Sequence, residues 1–130
     1  MTRILYIFLM TSVLTSCKTT QKAQSVGESP LVHVVLFKLK TSMSDGDLKY
    51  FEKELWKMAS IDVVKNLQIG KYEDLEDKRA MEDYQMIMYM EFRNHDDYIV
   101  YKNHPKHLLL KERSRDFLAG VPRTYHYVKQ

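Results

Sequence analysis

The chain has 130 residues, of which 28% are charged and 45% hydrophobic, with a formal net charge of +3 at pH 7. Positive and negative residues alternate, as in Glu52-Lys53-Glu54, and form no basic stripe of the kind that phosphate binding needs, so nucleic acid is not expected as a partner. The length fits one small domain, and oligomerisation would add to its modest core, because the single cysteine leaves no internal disulfide to stabilise it.

The N-terminal segment differs in composition from the rest of the chain. Arg3 precedes an apolar run, Ile4 to Leu14, which is too short to span a bilayer and resembles a secretory signal. The run ends in Leu-Thr-Ser-Cys17, which resembles the lipobox that precedes an acylated cysteine. We therefore predict a signal peptide at residues 1–16 and lipidation of Cys17. The predicted location is the bacterial cell envelope, on the membrane through this lipid and facing the periplasm. An ordinary signal peptide with a chance cysteine is the alternative.

A tether and one domain are predicted after the cleavage site. Removing the signal takes away one charge, that of Arg3, which leaves about +2 on the mature chain. Residues 18–30 are rich in Thr, Gln, Lys, Ser and Gly, with Val26 as the one strongly apolar residue, which predicts a flexible spacer. Residues 17–30 would thus carry the lipid and hold the domain, residues 31–130, away from the membrane.

The first half of the domain predicts a strand, a helix and a second strand. Residues 31–40 are β-branched and aromatic on both alternating faces, which predicts a strand covered on both sides. A capping pattern at Ser44 to Asp47, followed by apolar residues at helical spacing through Met58 and Ala59, predicts an amphipathic helix. Residues 63–72 predict a strand, in which Gly70 marks a bulge or a close backbone approach.

The second half predicts a strand, a broken helix and a final strand. The charged segment 73–83 is expected to be a loop, and the strand at 84–92 has Met86, Met88 and Met90 on one face. Asn94 would cap a short helix ending at Asn103, a second piece would run to about residue 118, and the last strand would span 121–128. The order β-α-β-β-α-β predicts an α+β, ferredoxin-like fold. No partner can be assigned from sequence to His126 on the last strand.

The break between the two helical pieces has chemical consequences. Tyr101 and His107 are six positions apart, about 600° around a continuous helix, which would place them on opposite sides. The interruption at His104-Pro105 allows the phenol and the imidazole to meet. A neutral imidazole is suited to remove a proton near physiological pH, and a phenol can donate to the oxyanion that forms.

The pattern Tyr101-x-x-His104-Pro105-x-His107, with His33 on the first strand, resembles the stress-responsive dimeric α/β-barrel (Dabb) family over roughly residues 31–128. The resemblance implies a ferredoxin-like monomer that pairs with a second copy to form a dimeric α/β barrel. It also implies a pocket between each sheet and its own helices. In a plant member that acts as a polyketide cyclase, a histidine matching His107 is the base, a tyrosine matching Tyr101 assists, and a histidine matching His33 shares the pocket. The resemblance thus implies catalytic roles for these three residues.

Four other residues are expected to contact the ligand: His104, Met86, Met88 and Phe37. The cyclase has another histidine where Met86 stands here, so the pocket of this chain is expected to be more apolar. Methionine lines adaptable apolar cavities, which favours a small apolar or aromatic ligand without implying the polyketide itself. His104 has a second interpretation as a helix-capping residue, since Pro105 places it at a turn.

Two functions are compatible with the sequence. One is a cofactor-free enzyme that transfers protons through a His/Tyr pair in a cyclase- or isomerase-like reaction. The other is a non-catalytic dimeric stress-response or ligand-binding module, in which the same residues complete the packing. A haem-degrading or quinone-oxidising enzyme on the related barrel fold is a third reading, although its pocket residues are not recognised here.

No cofactor or metal is expected. The chain contains four isolated glycines and no glycine-rich phosphate loop. His104 and His107 have i,i+3 spacing across a helix start, which suits zinc less well than i,i+4, and no carboxylate stands obviously beside them.

Overall fold

A computed structural model describes residues 30–130 of the chain. The predicted signal peptide, Cys17 and the spacer up to residue 29 lie outside the described residues. The strands are β1 Leu31–Phe37, β2 Lys65–Lys71, β3 Met86–Phe92 and β4 Arg123–Val128, and the helices are α1 Asp45–Trp56, α2 His95–Asn103 and α3 Pro105–Ser114. The strands form one antiparallel sheet in the order β2-β3-β1-β4, which confirms the predicted ferredoxin-like class.

One face of the sheet carries the core. Alternate residues of β1 and β3 point to this face because side chains in a strand repeat every two residues. Met86, Met88, Met90 and Phe92 are all at most 2% exposed there. Phe37 packs edge-on against Phe51 of α1, with ring centroids 5.4 Å apart. The predicted methionine face is therefore core, covered by the helices.

Helix α1 begins as its sequence predicts and is tied to α3. The Ser44 side chain accepts a hydrogen bond from the Asp47 N–H, and the Asp47 carboxylate accepts one from the Ser44 N–H, which completes a capping box. Glu54 is buried and pairs with both Lys57 and Arg113 of α3. Burial raises the pKa of the Glu54 carboxyl, but hydrogen bonds from Lys57 and Arg113 outweigh it and hold the pKa below its usual value.

Several elements are shorter than predicted. Strand β1 ends at Phe37, and Leu39 forms only an isolated bridge to Leu118. The first helix continues from Trp56 as a 3₁₀ turn, Lys57–Ser60, which buries Met58. Helix α3 ends at Ser114 and not near residue 118. The N–H groups of Phe117 and Leu118 donate to the Ser114 carbonyl as the chain turns after the helix. Strands β2, β3 and β4 each begin two residues later than predicted.

No helix within the described residues covers the opposite face of the sheet. Tyr125 and Tyr127 of β4 are 66% and 40% exposed, and Ile87 of β3 is 37% exposed. Gly70 lies opposite Ile87 in the β2-β3 ladder, and a Cβ added at Gly70 would lie 2.9 Å from Ile87 Cγ2. Gly70 is therefore a close approach between strands, one of the two predicted roles. Among residues 30–130 no helix is both long and apolar enough to cross a membrane.

Candidate functional site

A cavity of about 630 Å³ lies between the helix-covered face of the sheet and helices α2 and α3. Its apolar floor includes Val35, Phe37 and Met88, and Leu110 of α3 adds to the wall. Most of its lining is apolar, with a few polar groups, which is the usual character of a small-molecule site. The three residues predicted to be catalytic, His33, Tyr101 and His107, all line it.

A wider depression of about 1000 Å³ lies over segments 38–42 and 80–85. Charged loop side chains such as Lys38, Lys78 and Asp83 line it, and none of its described lining residues is a histidine. We assign the candidate site to the smaller cavity, because the imidazoles and the phenol converge there on apolar walls.

The break between α2 and α3 brings Tyr101 and His107 into contact. Tyr101 lies in the last turn of α2 and His107 in the first turn of α3, with Pro105 as the first residue of α3. The extended backbone of His104 separates the two helices. The ring centroids of Tyr101 and His107 are 4.4 Å apart. A continuous helix would have kept these side chains apart.

His107 is held in one tautomer. Its Nδ1 lies 2.9 Å from the carbonyl oxygen of Lys102. Since a carbonyl oxygen only accepts, Nδ1 carries the hydrogen, and Nε2 keeps the lone pair of the neutral ring. Burial lowers the pKa of His107, as do the nearby positive charges of Lys111, His104 and Lys102, while the bond to the Lys102 carbonyl opposes them. The imidazole is therefore a neutral base at physiological pH.

Tyr101 is a retained proton donor. The side chain is 1% exposed, and burial raises the pKa of its phenol far above the usual value, with Tyr98 adding to the effect. Within the described part of the chain its hydroxyl has no protein hydrogen-bond partner, and no fully buried side-chain oxygen or nitrogen lacks one. The hydroxyl therefore keeps some contact with open space, and the cavity that Tyr101 lines supplies it.

His33 is bonded to His126, a residue that sequence reasoning left without a role. The two residues are opposite each other in the β1-β4 ladder, and His33 Nδ1 lies 2.7 Å from His126 Nε2, with the rings stacked 4.6 Å apart. Burial, then the charges of His126 and His107, lowers the pKa of His33 to about 4. His33 and His126 form the third residue pair of the β1-β4 ladder, counted from Leu31. Their contact could therefore be predicted only by knowing how the two strands pair.

The four predicted ligand contacts divide into two pairs. Phe37 and Met88 line the cavity, whereas Met86 and His104 are not among its lining residues. Met86 lies in the core, 1% exposed. His104 is the N-cap of α3, where its Nδ1 accepts a hydrogen bond from the Lys106 N–H at 3.2 Å. The structure thus places His104 in its alternative role and not at the site.

Tyr98 is a further residue of the cavity that the sequence did not single out. Its ring lies 5.4 Å from His33 and 5.1 Å from His126, measured between centroids, so it packs against the histidine pair. Its position one turn before Tyr101 on α2 was the available signal. Among residues 30–130 no group of three or more His, Cys, Asp and Glu side chains is placed to hold a metal ion.

Comparisons with known proteins agree with this architecture. Residues 31–122 match the family model described as Stress responsive A/B Barrel Domain. No curated protein sequence matches the chain.

Solved structures with the same fold are numerous. A Dabb family protein from Mesorhizobium loti is 22% identical, with a TM-score of 0.66 over 79% of this chain and 99% of that one. A dimeric ferredoxin-like protein of unknown function from Bacteroides fragilis is 20% identical, with a TM-score of 0.61 over 79% and 99%. A hydroxynitrile lyase from Passiflora edulis is 12% identical, with a TM-score of 0.68 over 79% and 97%. At these identities the likeness shows the fold alone.

Proposed function

The chain belongs to the stress-responsive A/B barrel domain family, and on that premise we propose that it binds a small apolar or aromatic molecule and transfers a proton on it without a cofactor. One observation carries the proposal. A neutral imidazole, a protonated phenol and a second imidazole line the same apolar cavity, with Tyr101 between the two histidines at centroid distances of 4.4 Å from His107 and 5.9 Å from His33.

Each residue has a role that follows from its surroundings. His107 removes a proton from carbon or oxygen of the ligand through Nε2, since Nδ1 is occupied by the Lys102 carbonyl. Tyr101 donates its hydroxyl hydrogen bond to the oxygen on which negative charge develops. The proton then returns from His107 to a different atom of the product, which balances a cyclase- or isomerase-like reaction.

His33 and His126 assist this chemistry as a hydrogen-bonded pair. The low pKa of His33 keeps its ring neutral, so that it acts as a hydrogen-bonding group toward the ligand and not as a cation. Its bond to the exposed His126 offers a route by which a proton exchanges between the cavity and the surroundings. Among the neighbours in fold, the hydroxynitrile lyase is an enzyme, which is consistent with catalysis on this architecture.

Deuterium incorporation tests the proposal without knowledge of the natural substrate. Butyrophenone and 3-benzoylpropionate share an aromatic ketone and differ in one terminal group, a methyl or a carboxylate. In D₂O at neutral pH, proton NMR would follow the loss of the α C–H signal. We expect at least one ketone to exchange about tenfold faster than in buffer, and His107→Gln to return the exchange rate to that of buffer.

The control is His95→Gln, which changes an exposed histidine outside the cavity lining. Its exchange rate should equal that of the wild type. Binding of the ketones with exchange at the buffer rate would refute catalysis on them and support the alternative, a non-catalytic ligand-binding module.

We also propose that a homodimer forms through the open face of the sheet. Structural neighbours include dimeric ferredoxin-like proteins, and this face exposes Tyr125, Tyr127 and Ile87. Exposed aromatic residues of this kind are enriched at interfaces. Light scattering should give twice the monomer mass, and Tyr125→Asp should shift the protein toward monomer. A monomeric wild type at micromolar concentration would contradict this proposal.

We further propose that Cys17 is acylated and holds the protein in the cell envelope on the periplasmic side. The support is the apolar run Ile4 to Leu14 with the lipobox-like sequence that ends at Cys17. The wild type should fractionate with membranes and take up labelled palmitate when expressed in a bacterial host. Cys17→Ala should lose both properties, and unchanged membrane retention would contradict lipidation.

A further inference from the structure

Among the described residues, three cationic side chains line the candidate cavity, Lys102, Lys111 and Arg115, and no aspartate or glutamate does. Within residues 30–130 none of the three makes an ion pair, because the seven salt bridges there involve other cations. All three are exposed, so their charges are free to meet a ligand at the cavity wall.

The position of these charges relates directly to the candidate base. Lys111 lies four residues after His107 on α3, and therefore on the same helix face. Lys102 follows Tyr101, and its carbonyl holds His107. The positive charges of Lys111 and Lys102 both act on the imidazole and lower its pKa. Positive potential therefore reaches the reacting end of the cavity.

The remaining walls strengthen this field. Val35, Phe37, Met88 and Leu110 supply apolar surface, and cavity walls of low dielectric constant concentrate the field of nearby charges. A neutral apolar ligand would leave the three cations facing solvent, with no gain from them. A ligand with an apolar body and an acidic group would pack against the apolar residues of the cavity and pair with its cationic side chains.

We propose that the ligand of this cavity is an organic anion, an aromatic or alkyl carboxylate or a similar acid, with its acidic group among Lys102, Lys111 and Arg115. This inference rests on the proposed binding function and names its ligand class. The apolar body occupies the floor beside Tyr101 and His107. The same cations stabilise the additional negative charge that develops when His107 removes a proton.

Two fluorescent probes with the same ring system test the proposal. 1-Anilinonaphthalene-8-sulfonate is anionic, and N-phenyl-1-naphthylamine is its neutral counterpart without the sulfonate. We expect both to bind and to displace each other, with the anion bound about tenfold more tightly in low salt. The difference in affinity between the two probes should decrease as the sodium chloride concentration is raised, because salt screens the charges of the exposed cationic side chains.

A pair of charge-matched variants separates local from overall charge. Lys111→Gln with Arg115→Gln should weaken anion binding about fivefold or more and leave the neutral probe within twofold. Lys49→Gln with Lys53→Gln removes the same two charges from exposed positions on α1, away from the cavity lining, and should change neither affinity. Circular dichroism would confirm that both proteins are folded.

The possible outcomes separate the anion preference from ligand binding as such. Equal affinity for both probes would overturn the anion preference and leave the cavity as a neutral apolar site. Equal loss of anion binding in the two double variants would also overturn it, since net charge alone would then explain binding. Binding of neither probe would overturn the proposed binding function together with this inference.

Discussion

Replacing His33 with glutamine should flatten the dependence of stability on pH between pH 7 and pH 5. His33 is 5% exposed, and its pKa in the folded protein is about 4 against a usual value of 6.5. Because the unfolded chain binds this proton more readily, acid favours unfolding. The contribution of His33 to stability is complete above pH 6.5 and is lost progressively as the pH falls toward 4.

The magnitude follows from the interval between the two pKa values. Within this interval the free energy of unfolding falls by about 1.4 kcal/mol for each pH unit of acidification. The free energy of unfolding of the wild type should therefore fall by about 2 kcal/mol between pH 7 and pH 5 because of His33. At pH 5 most carboxylates are still ionised, which keeps their contribution small. Glutamine can retain a hydrogen bond to His126 but does not titrate. His107 also has a lowered pKa and contributes in both proteins.

Urea unfolding at pH 7 and pH 5, followed by circular dichroism, measures the difference. The free energy of unfolding of His33→Gln should fall by about 2 kcal/mol less than that of the wild type. His95→Gln, at an exposed position, serves as the matched control, and its free energy of unfolding should fall between pH 7 and pH 5 as much as that of the wild type. An equal fall in the free energy of unfolding between pH 7 and pH 5 in all three proteins would refute the claim that His33 is held neutral by burial beside His126.

Three further predictions concern other parts of the structure, and urea unfolding at pH 7 tests each of them. Tyr101→Phe should change the free energy of unfolding by less than about 0.5 kcal/mol, because its hydroxyl has no hydrogen-bond partner to lose among residues 30–130; a loss above about 1.5 kcal/mol would indicate a structural hydroxyl. Glu54→Gln should cost about 1–3 kcal/mol, since it removes the charge that joins α1 to Arg113; no change would show that the pair is dispensable. Gly70→Ala should cost about 1–3 kcal/mol through its clash with Ile87, and Ile87→Ala should relieve that clash; strictly additive losses would contradict the close approach.

The fold could be predicted largely because its local signals agree with one another. The capping box at Ser44, the methionine alternation of β3 and the break at Pro105 each indicate one element, and the structure confirms all three. The element ends were harder to predict. Apolar residues continue past Phe37 and past Ser114, and the chain turns away there through local hydrogen bonds to the Ser114 carbonyl and a tertiary one from the Lys40 N–H to the Phe117 carbonyl.

The site could be predicted only where its residues are close in sequence. Tyr101 and His107 flank a visible helix break, so their contact follows from local rules. The bond between His33 and His126 depends on the register of two strands 93 residues apart, which no local pattern determines. The sequence allowed His104 to be either a helix cap or a ligand contact, and only its hydrogen bond from the Lys106 N–H at the start of α3 distinguishes the two.

The most direct test of the account is the protonation of the imidazole nitrogens of His107, measured at pH 7 by long-range ¹H–¹⁵N NMR. We expect a hydrogen on Nδ1, none on Nε2, and a shift of the Nε2 signal when N-phenyl-1-naphthylamine or 1-anilinonaphthalene-8-sulfonate is added. A ring protonated on Nε2, or a His107 signal unchanged by a probe that binds, would contradict the assignment of His107 as the base of this cavity.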